Sequence, residues 1–203
     1  MTIPLLHPMR TADPARYTIE HFPHRRVRMT IDHEPLAGVT PDMLLWWFRN
    51  LGGTMPYAGG EYPRYLVWHP LDHISWTLER GRYHIVEALG QDPRKLVDTV
   101  DRVEKLDRTG IRLAMRVAGG LVFQLEHTWS AGRGRTHYVS VFDLGFRSLL
   151  GAPVNAYLRS RVFRPDMDEA WIRHNIEEVG RLETFLPELY GQHRGHGVRQ
   201  PVR

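Results

Sequence analysis

Residues 96–106, 111–117, 121–129 and 136–144 read as four strands, because apolar and polar side chains alternate along them with the period of a half-buried sheet. The connections are too short for helical crossovers, so sequential antiparallel pairing follows. Gly119 and Gly120 lie where a two-residue hairpin turn is needed, and residues 132–135 make a longer loop. Such a sheet must bury its apolar face against something. The partner is a helix over 166–190, in which Trp171, Ile172, Ile176, Val179, Leu182, Phe185, Leu186 and Leu189 share one face at about 100° per residue. Asp166 with Glu169 resembles a capping box, and Pro187 ends or kinks the helix. Arg173, Glu177 and Arg181 form an i, i+4 ladder on the opposite, solvent side.

Upstream, Thr40 caps a short helix with Pro41 at its first position, closed by Gly52 and Gly53. Residues 65–69 read as a strand stopped by Pro70. Five or more antiparallel strands between a short and a long helix make an α+β arrangement, in which a curved sheet grips the final helix and leaves a cavity for a small ligand. One domain is expected over residues 1–190, with its core over 40–190. The Pro-, His- and Arg-rich first thirty residues are expected to be peripheral, and 191–203 a disordered basic tail.

The chain has no cysteine, which excludes disulfides, iron–sulfur clusters and thiol nucleophiles and leaves His, Asp and Glu as the only strong metal ligands. Lys and Arg number 27 against 23 Asp and Glu, a net charge of +4. The arginines are spread along the chain rather than clustered, so nucleic acid is not an expected partner. No apolar run approaches the roughly 20 residues of a membrane helix, and the N-terminus lacks the pattern of a signal peptide, so a cytoplasmic protein with no membrane partner is expected.

Four groups of residues can carry chemistry. His174 and Glu178 stand four apart on the final helix, within reach of one ion, and Glu178 falls inside the apolar face between Trp171 and Phe185. An ordinary helical His–Glu hydrogen bond is the competing reading. The segment 65–74 brings His69, Asp72 and His73 to one turn. There His73 is a potential ligand whose ring Asp72 or a backbone carbonyl orients, or else Asp72 caps the turn and His69 packs in the core. On the strand 121–129, His127 projects with Leu121, Phe123, Leu125 and Trp129 toward the core or cavity. Glu104, counted onto the face of Val100 and Leu106, is another acid among apolar neighbours; a salt bridge to Arg is its competing reading.

The run from Thr40 to Phe48, the stretch Trp68, His69, Pro70, Leu71, Asp72, His73, and the helical His174 with Glu178 together resemble the 2,4-diacetylphloroglucinol hydrolase and phloretin hydrolase family. The resemblance covers roughly residues 40–190. It implies a Bet v 1-like helix-grip fold and a zinc enzyme that hydrolyses the carbon–carbon bond between an acyl group and a phenolic ring. It further implies a metal held by His73, Glu104, His174 and Glu178, with Zn2+ expected and Mn2+ or Fe2+ as alternatives. Tyr65 and His127 match the family's catalytic positions, with His137 and Tyr138 as alternatives to His127. The implied partner is an aromatic or polyketide-like small molecule, and a homodimer is compatible with the resemblance. A non-catalytic carrier or sensor of a hydrophobic ligand is the alternative that the same cavity allows.

Overall fold

The Thr40 side chain accepts the Met43 amide, Pro41 supplies the preset first φ, and the helix opened there buries Leu44, Trp47 and Phe48 on one side. The structure is a computed structural model and describes residues 3–196. In chain order it contains β1 (Arg16–Phe22), β2 (Arg26–Asp32), β3 (Leu36–Ala37), α1 (Pro41–Arg49), β4 (Thr54–Tyr57), β5 (Gly60–Pro63) and α2 (Arg64–Trp68). There follow β6 (His73–Glu79), β7 (Arg82–Ala88), β8 (Leu96–Asp107), β9 (Gly110–Val117), β10 (Gly120–Ala131), β11 (Arg135–Leu144), α3 (Ala152–Tyr157) and α4 (Asp168–His196). Nine strands form one antiparallel sheet in the order β1-β2-β11-β10-β9-β8-β7-β6, with β3 added beside β11; β4 and β5 make a separate hairpin. This large sheet with a long C-terminal helix and a cavity between them is a Bet v 1-like helix-grip fold.

Several expectations are corrected. Residues 16–32 are integral to the sheet rather than peripheral: β1 pairs with β2, β2 pairs with β11, and Val27, Met29 and Ile31 are fully buried. Residues 65–69 are not a strand. Pro63 leads into the short helix α2, which buries Tyr65, Val67 and Trp68. The β9–β10 turn is Ala118 and Gly119, with φ of 49° and 78°, the left-handed pair of a type I′ hairpin, so Gly120 already belongs to β10. Arg80 and Gly81 form the same turn between β6 and β7 at 51° and 75°.

The final helix runs through Pro187 to His196, so residues 191–196 continue it, while 197–203 lie outside the described residues. Asp166 does not cap it; that side chain pairs with Arg164 at 3.0 Å. Nor does α4 have a solvent ladder. From Trp171 to Leu182 only Arg173 is exposed. Arg181, 1% exposed, donates to the Tyr57 hydroxyl and the Val67 carbonyl, both at 3.2 Å. Apart from the Arg173 position the helix is enclosed through its middle, which is why polar residues on its second face had to find protein partners.

Candidate metal centre

Helix α2 ends at Trp68, and the turn after it throws His69, Asp72 and His73 against the middle of α4. The Trp68 indole fixes the approach by donating to the Glu178 carbonyl at 2.7 Å. His73 is buried, its Nδ1–H donates to the Tyr65 carbonyl at 2.6 Å, and its ring stacks on Tyr65 with centroids 3.9 Å apart. That hydrogen bond fixes the tautomer and leaves Nε2 as a bare lone pair. Among the described residues this nitrogen has no hydrogen-bond partner.

What faces it are carboxylates. His73 Nε2 lies 3.4 Å from Glu87 Oε1 and 3.5 Å from Glu178 Oε2. The His174 Nε2 lies 3.5 Å from Glu87 Oε2 and 3.9 Å from Glu178 Oε2, while its Nδ1–H donates to Asp72 at 3.0 Å. Two imidazoles thus turn Nε2 toward two carboxyl groups, and the ligand atoms of His73, His174 and Glu178 all fall within 4.8 Å of one another. Bonds of about 2.0–2.2 Å from a tetrahedral ion would place such atoms roughly 3.3–3.6 Å apart. The observed spacing fits that, and acceptors facing acceptors require a cation or a proton between them.

The outer groups hold the inner ones in place. Asp72 accepts from the Gly90 and Gln91 amides at 2.9 and 3.0 Å and so presents its carboxylate rigidly to His174. Burial opposes ionisation of Asp72, but its bond to His174 and the nearby histidines outweigh that and bring its pKa down to about 2. His69 Nδ1 accepts the Asp72 amide at 3.1 Å, so its Nε2–H donates to Glu177, also at 3.1 Å. His69 and Asp72 are therefore engaged in positioning, although with His174 they form a second grouping of metal-ligand type. Asn175 donates to Glu178, and the Tyr65 hydroxyl donates to Glu87.

The two imidazoles differ in charge. Burial drives His73 down to about 3, so it is neutral. For His174, burial again disfavours charge, but Glu87, the Asp72 hydrogen bond and Glu178 outweigh it and raise the pKa to about 9. A proton on His174 supplies the positive charge that the facing carboxyls demand.

Of the four ligands implied by the resemblance, His73, His174 and Glu178 converge. Glu104 does not: it sits on the outer face of β8, bound by Arg116 at 2.7 Å. The register of β8 against β9 passes from Val103–Leu113 to Lys105–Arg112, leaving Glu104 as the extra residue of a bulge, and this re-aims the strand. The carboxylate that faces the two imidazoles beside Glu178 is instead Glu87 on β7, 3.4 Å from His73 and 3.5 Å from His174. A sign of it lay in the alternation of Tyr83, Ile85 and Glu87 downstream of the Arg80–Gly81 turn signal. Glu177, expected in solvent, is buried between His69 and Arg173.

The remaining site residues separate clearly. His127 is buried, lines the cavity and bonds the Ser140 hydroxyl through Nδ1 at 2.8 Å. Burial lowers its pKa to about 4, so its ring is neutral near pH 7. Tyr65 also lines the cavity, and burial holds its hydroxyl well above the ordinary phenol value. Tyr138 is fully buried, whereas His137 is exposed. The cavity is about 330 Å³, with Glu87, His174 and Glu178 in its wall and aromatic and aliphatic side chains over most of the rest.

No family model and no curated protein matches the chain. Among solved structures it is similar to EF2215 of Enterococcus faecalis, a conserved protein of unknown function, at 8% identity over 95% of each chain with a TM-score of 0.47. Ms6760 of Mycobacterium smegmatis matches at 11% identity over 82% of this chain and 96% of that one, with a TM-score of 0.46. The Polyketide_cyc-like protein Cgl2372 of Corynebacterium glutamicum matches at 8% identity over 87% and 97%, with a TM-score of 0.35. What the site can do therefore has to follow from its own residues. No helix among the described residues is long and apolar enough to cross a membrane.

Proposed function

We propose that this protein is a metal-dependent hydrolase that cleaves the carbon–carbon bond between an acyl group and a phenolic ring, in a phloroglucinol-like or related polyketide-like compound. The observation that carries the reading is the buried, unpartnered Nε2 of His73 facing Glu87 and Glu178 at 3.4 and 3.5 Å, beside His174. His73, Glu87, His174 and Glu178 would hold a divalent ion, with Zn2+ suited to two imidazoles and two carboxylates. Such an ion supplies Lewis acidity toward a carbonyl oxygen and activation of a water near neutral pH.

In this hydrolysis the acyl-to-ring bond breaks, the oxygen of water joins the acyl carbon, and the ring carbon takes a proton. The products are a carboxylic acid and a deacylated phenol. Tyr65 is the side chain suited to hold that proton, since burial keeps its hydroxyl protonated and Glu87 orients it. His127, neutral in the cavity wall and anchored by Ser140, orients the ligand rather than acting as a charged acid. Asp72 and Asn175 keep His174 and Glu178 aimed inward.

A carrier or sensor of a small hydrophobic molecule is the second reading, favoured by the largely apolar lining of the cavity. Metal analysis of the purified protein, followed by assay of acylphenols for acid release, separates the two. About one zinc, manganese or iron per chain, lost in His174→Ala and Glu178→Ala, together with acid release, supports the hydrolase. A metal-free protein that binds aromatics without turnover refutes it in favour of the carrier.

A further inference from the structure

The cavity has a second polar region, away from the histidines and built on neighbouring strands. Asp101 on β8 lines the cavity and is wholly buried. Its Oδ1 accepts the Thr99 hydroxyl at 3.0 Å, and its Oδ2 has no partner among the described residues. No cation pairs with it there, in contrast to Glu104 with Arg116 or Asp168 with Arg159. Trp76 on β6 lines the same cavity, and its indole Nε1 is likewise buried without a partner. Register sets them on one wall, two strands and one row apart: Trp76 pairs with Ile85 and Ile85 with Thr99, while Tyr83 joins Asp101 in the next row. The row beyond Ile85 leads to Glu87, at the proposed metal centre.

A buried carboxyl oxygen and a buried indole N–H, both unsatisfied and both in one cavity wall, represent an unmet hydrogen-bonding demand of a kind that folded proteins seldom leave. A ring bearing two hydroxyls answers both, because one phenol hydroxyl can donate to a carboxyl oxygen while the other accepts from an indole N–H. We infer that Asp101 and Trp76 form a subsite for the phenolic hydroxyls of an aromatic ligand, setting the ring's orientation relative to Glu87, His73, His174 and Glu178. The inference rests on the cavity being the ligand site of the proposed function, and it does not require the ion.

The test measures binding of 2,4-dihydroxyacetophenone and of acetophenone by calorimetry in the wild type, Asp101→Leu, Asp101→Asn and Trp76→Phe, with metal content determined on the same samples. The wild type is expected to prefer the hydroxylated compound by tenfold or more. Asp101→Leu, similar in size but without polar atoms, should reduce that preference to within about twofold, whereas Asp101→Asn, which keeps an acceptor oxygen, should retain most of it. Trp76→Phe should weaken the preference severalfold, and it carries the test alone if Asp101→Leu does not fold. Equal affinity of the wild type for the two compounds, or an unchanged preference in both Asp101→Leu and Trp76→Phe, overturns the subsite. A metal-free wild type that still shows the Asp101-dependent preference refutes the hydrolase and leaves the subsite standing; a metal-loaded protein without the preference does the reverse.

Discussion

Replacing Glu87 by Gln should weaken metal binding on the order of a hundredfold, while replacing Glu104 by Gln should leave it intact. Gln keeps the size of Glu87 and an oxygen able to accept the Tyr65 hydroxyl, so the local packing survives. What is lost is one anionic ligand of the proposed four, the one whose two oxygens lie 3.4 and 3.5 Å from the two Nε2 atoms. Four-ligand structural zinc sites are worth about 10–16 kcal/mol in total, so one ligand carries roughly 3 kcal/mol and its loss weakens binding on the order of 10²-fold. Glu104 is held by Arg116 on the outer face, so its neutralisation removes a surface ion pair worth about 0–1 kcal/mol and no ligand. Zinc affinity measured by competition with a chromophoric chelator reads both variants, with thermal unfolding as the check on folding. Retention of affinity in Glu87→Gln, or its loss in Glu104→Gln, would refute the assignment of the fourth ligand and the reasoning from convergence.

Asp72→Ala should cost roughly 10–100-fold in zinc affinity without removing a ligand, because the His174 ring loses the carboxylate that fixes its tautomer; the same competition assay measures it. Arg159→Met should destabilise by about 3–5 kcal/mol in urea unfolding, since it strands Asp168 as a buried charge, and adding Asp168→Leu should recover most of that. The Asp101 pKa is raised to about 7, chiefly by burial, so the folded chain binds more protons than the unfolded one between about pH 4 and pH 7 and loses stability as pH rises through that window. The loss amounts to about 4 kcal/mol at 1.36 kcal/mol per unit; Asp101→Asn should flatten the metal-free unfolding curve there and be the more stable protein at pH 8.

The parts of this architecture readable from sequence are those whose periodicity runs long enough to average out accidents. Strands β9, β10 and β11 and the buried stripe of α4 emerge from seven or more residues of consistent pattern. Glu178 stood out from Glu177 because it interrupted that stripe, and it is indeed the helical carboxylate that reaches the two imidazoles. Short or irregular segments misled. Five residues of α2 give barely more than one helical turn, too few to separate a period of 3.6 from one of 2. In β8 a single bulge shifts the parity, so counting by twos from Leu106 back to Glu104 and Val100 selects the outward face, whereas Val97, Thr99, Asp101 and Val103 face inward.

The error at Arg181 has a different origin and bears directly on how the site is built. A helical wheel assigns a polar ladder to solvent because it assumes that one side of the helix is free. Here the N-terminal segment and α2 cover that side: Ile3 is buried, Arg181 lies within reach of the His7 carbonyl, and Arg10 packs against Gly180. Enclosure turns the second face of α4 into an interior polar surface, where Glu177 and Arg181 bind α2 and the turn after it. Those bonds fix where His73 stands relative to His174 and Glu178. Removing them should therefore loosen the centre without touching any group that faces it: Glu177→Gln would weaken the hold on His69, and through it on Asp72 and His174, before it altered any ligand.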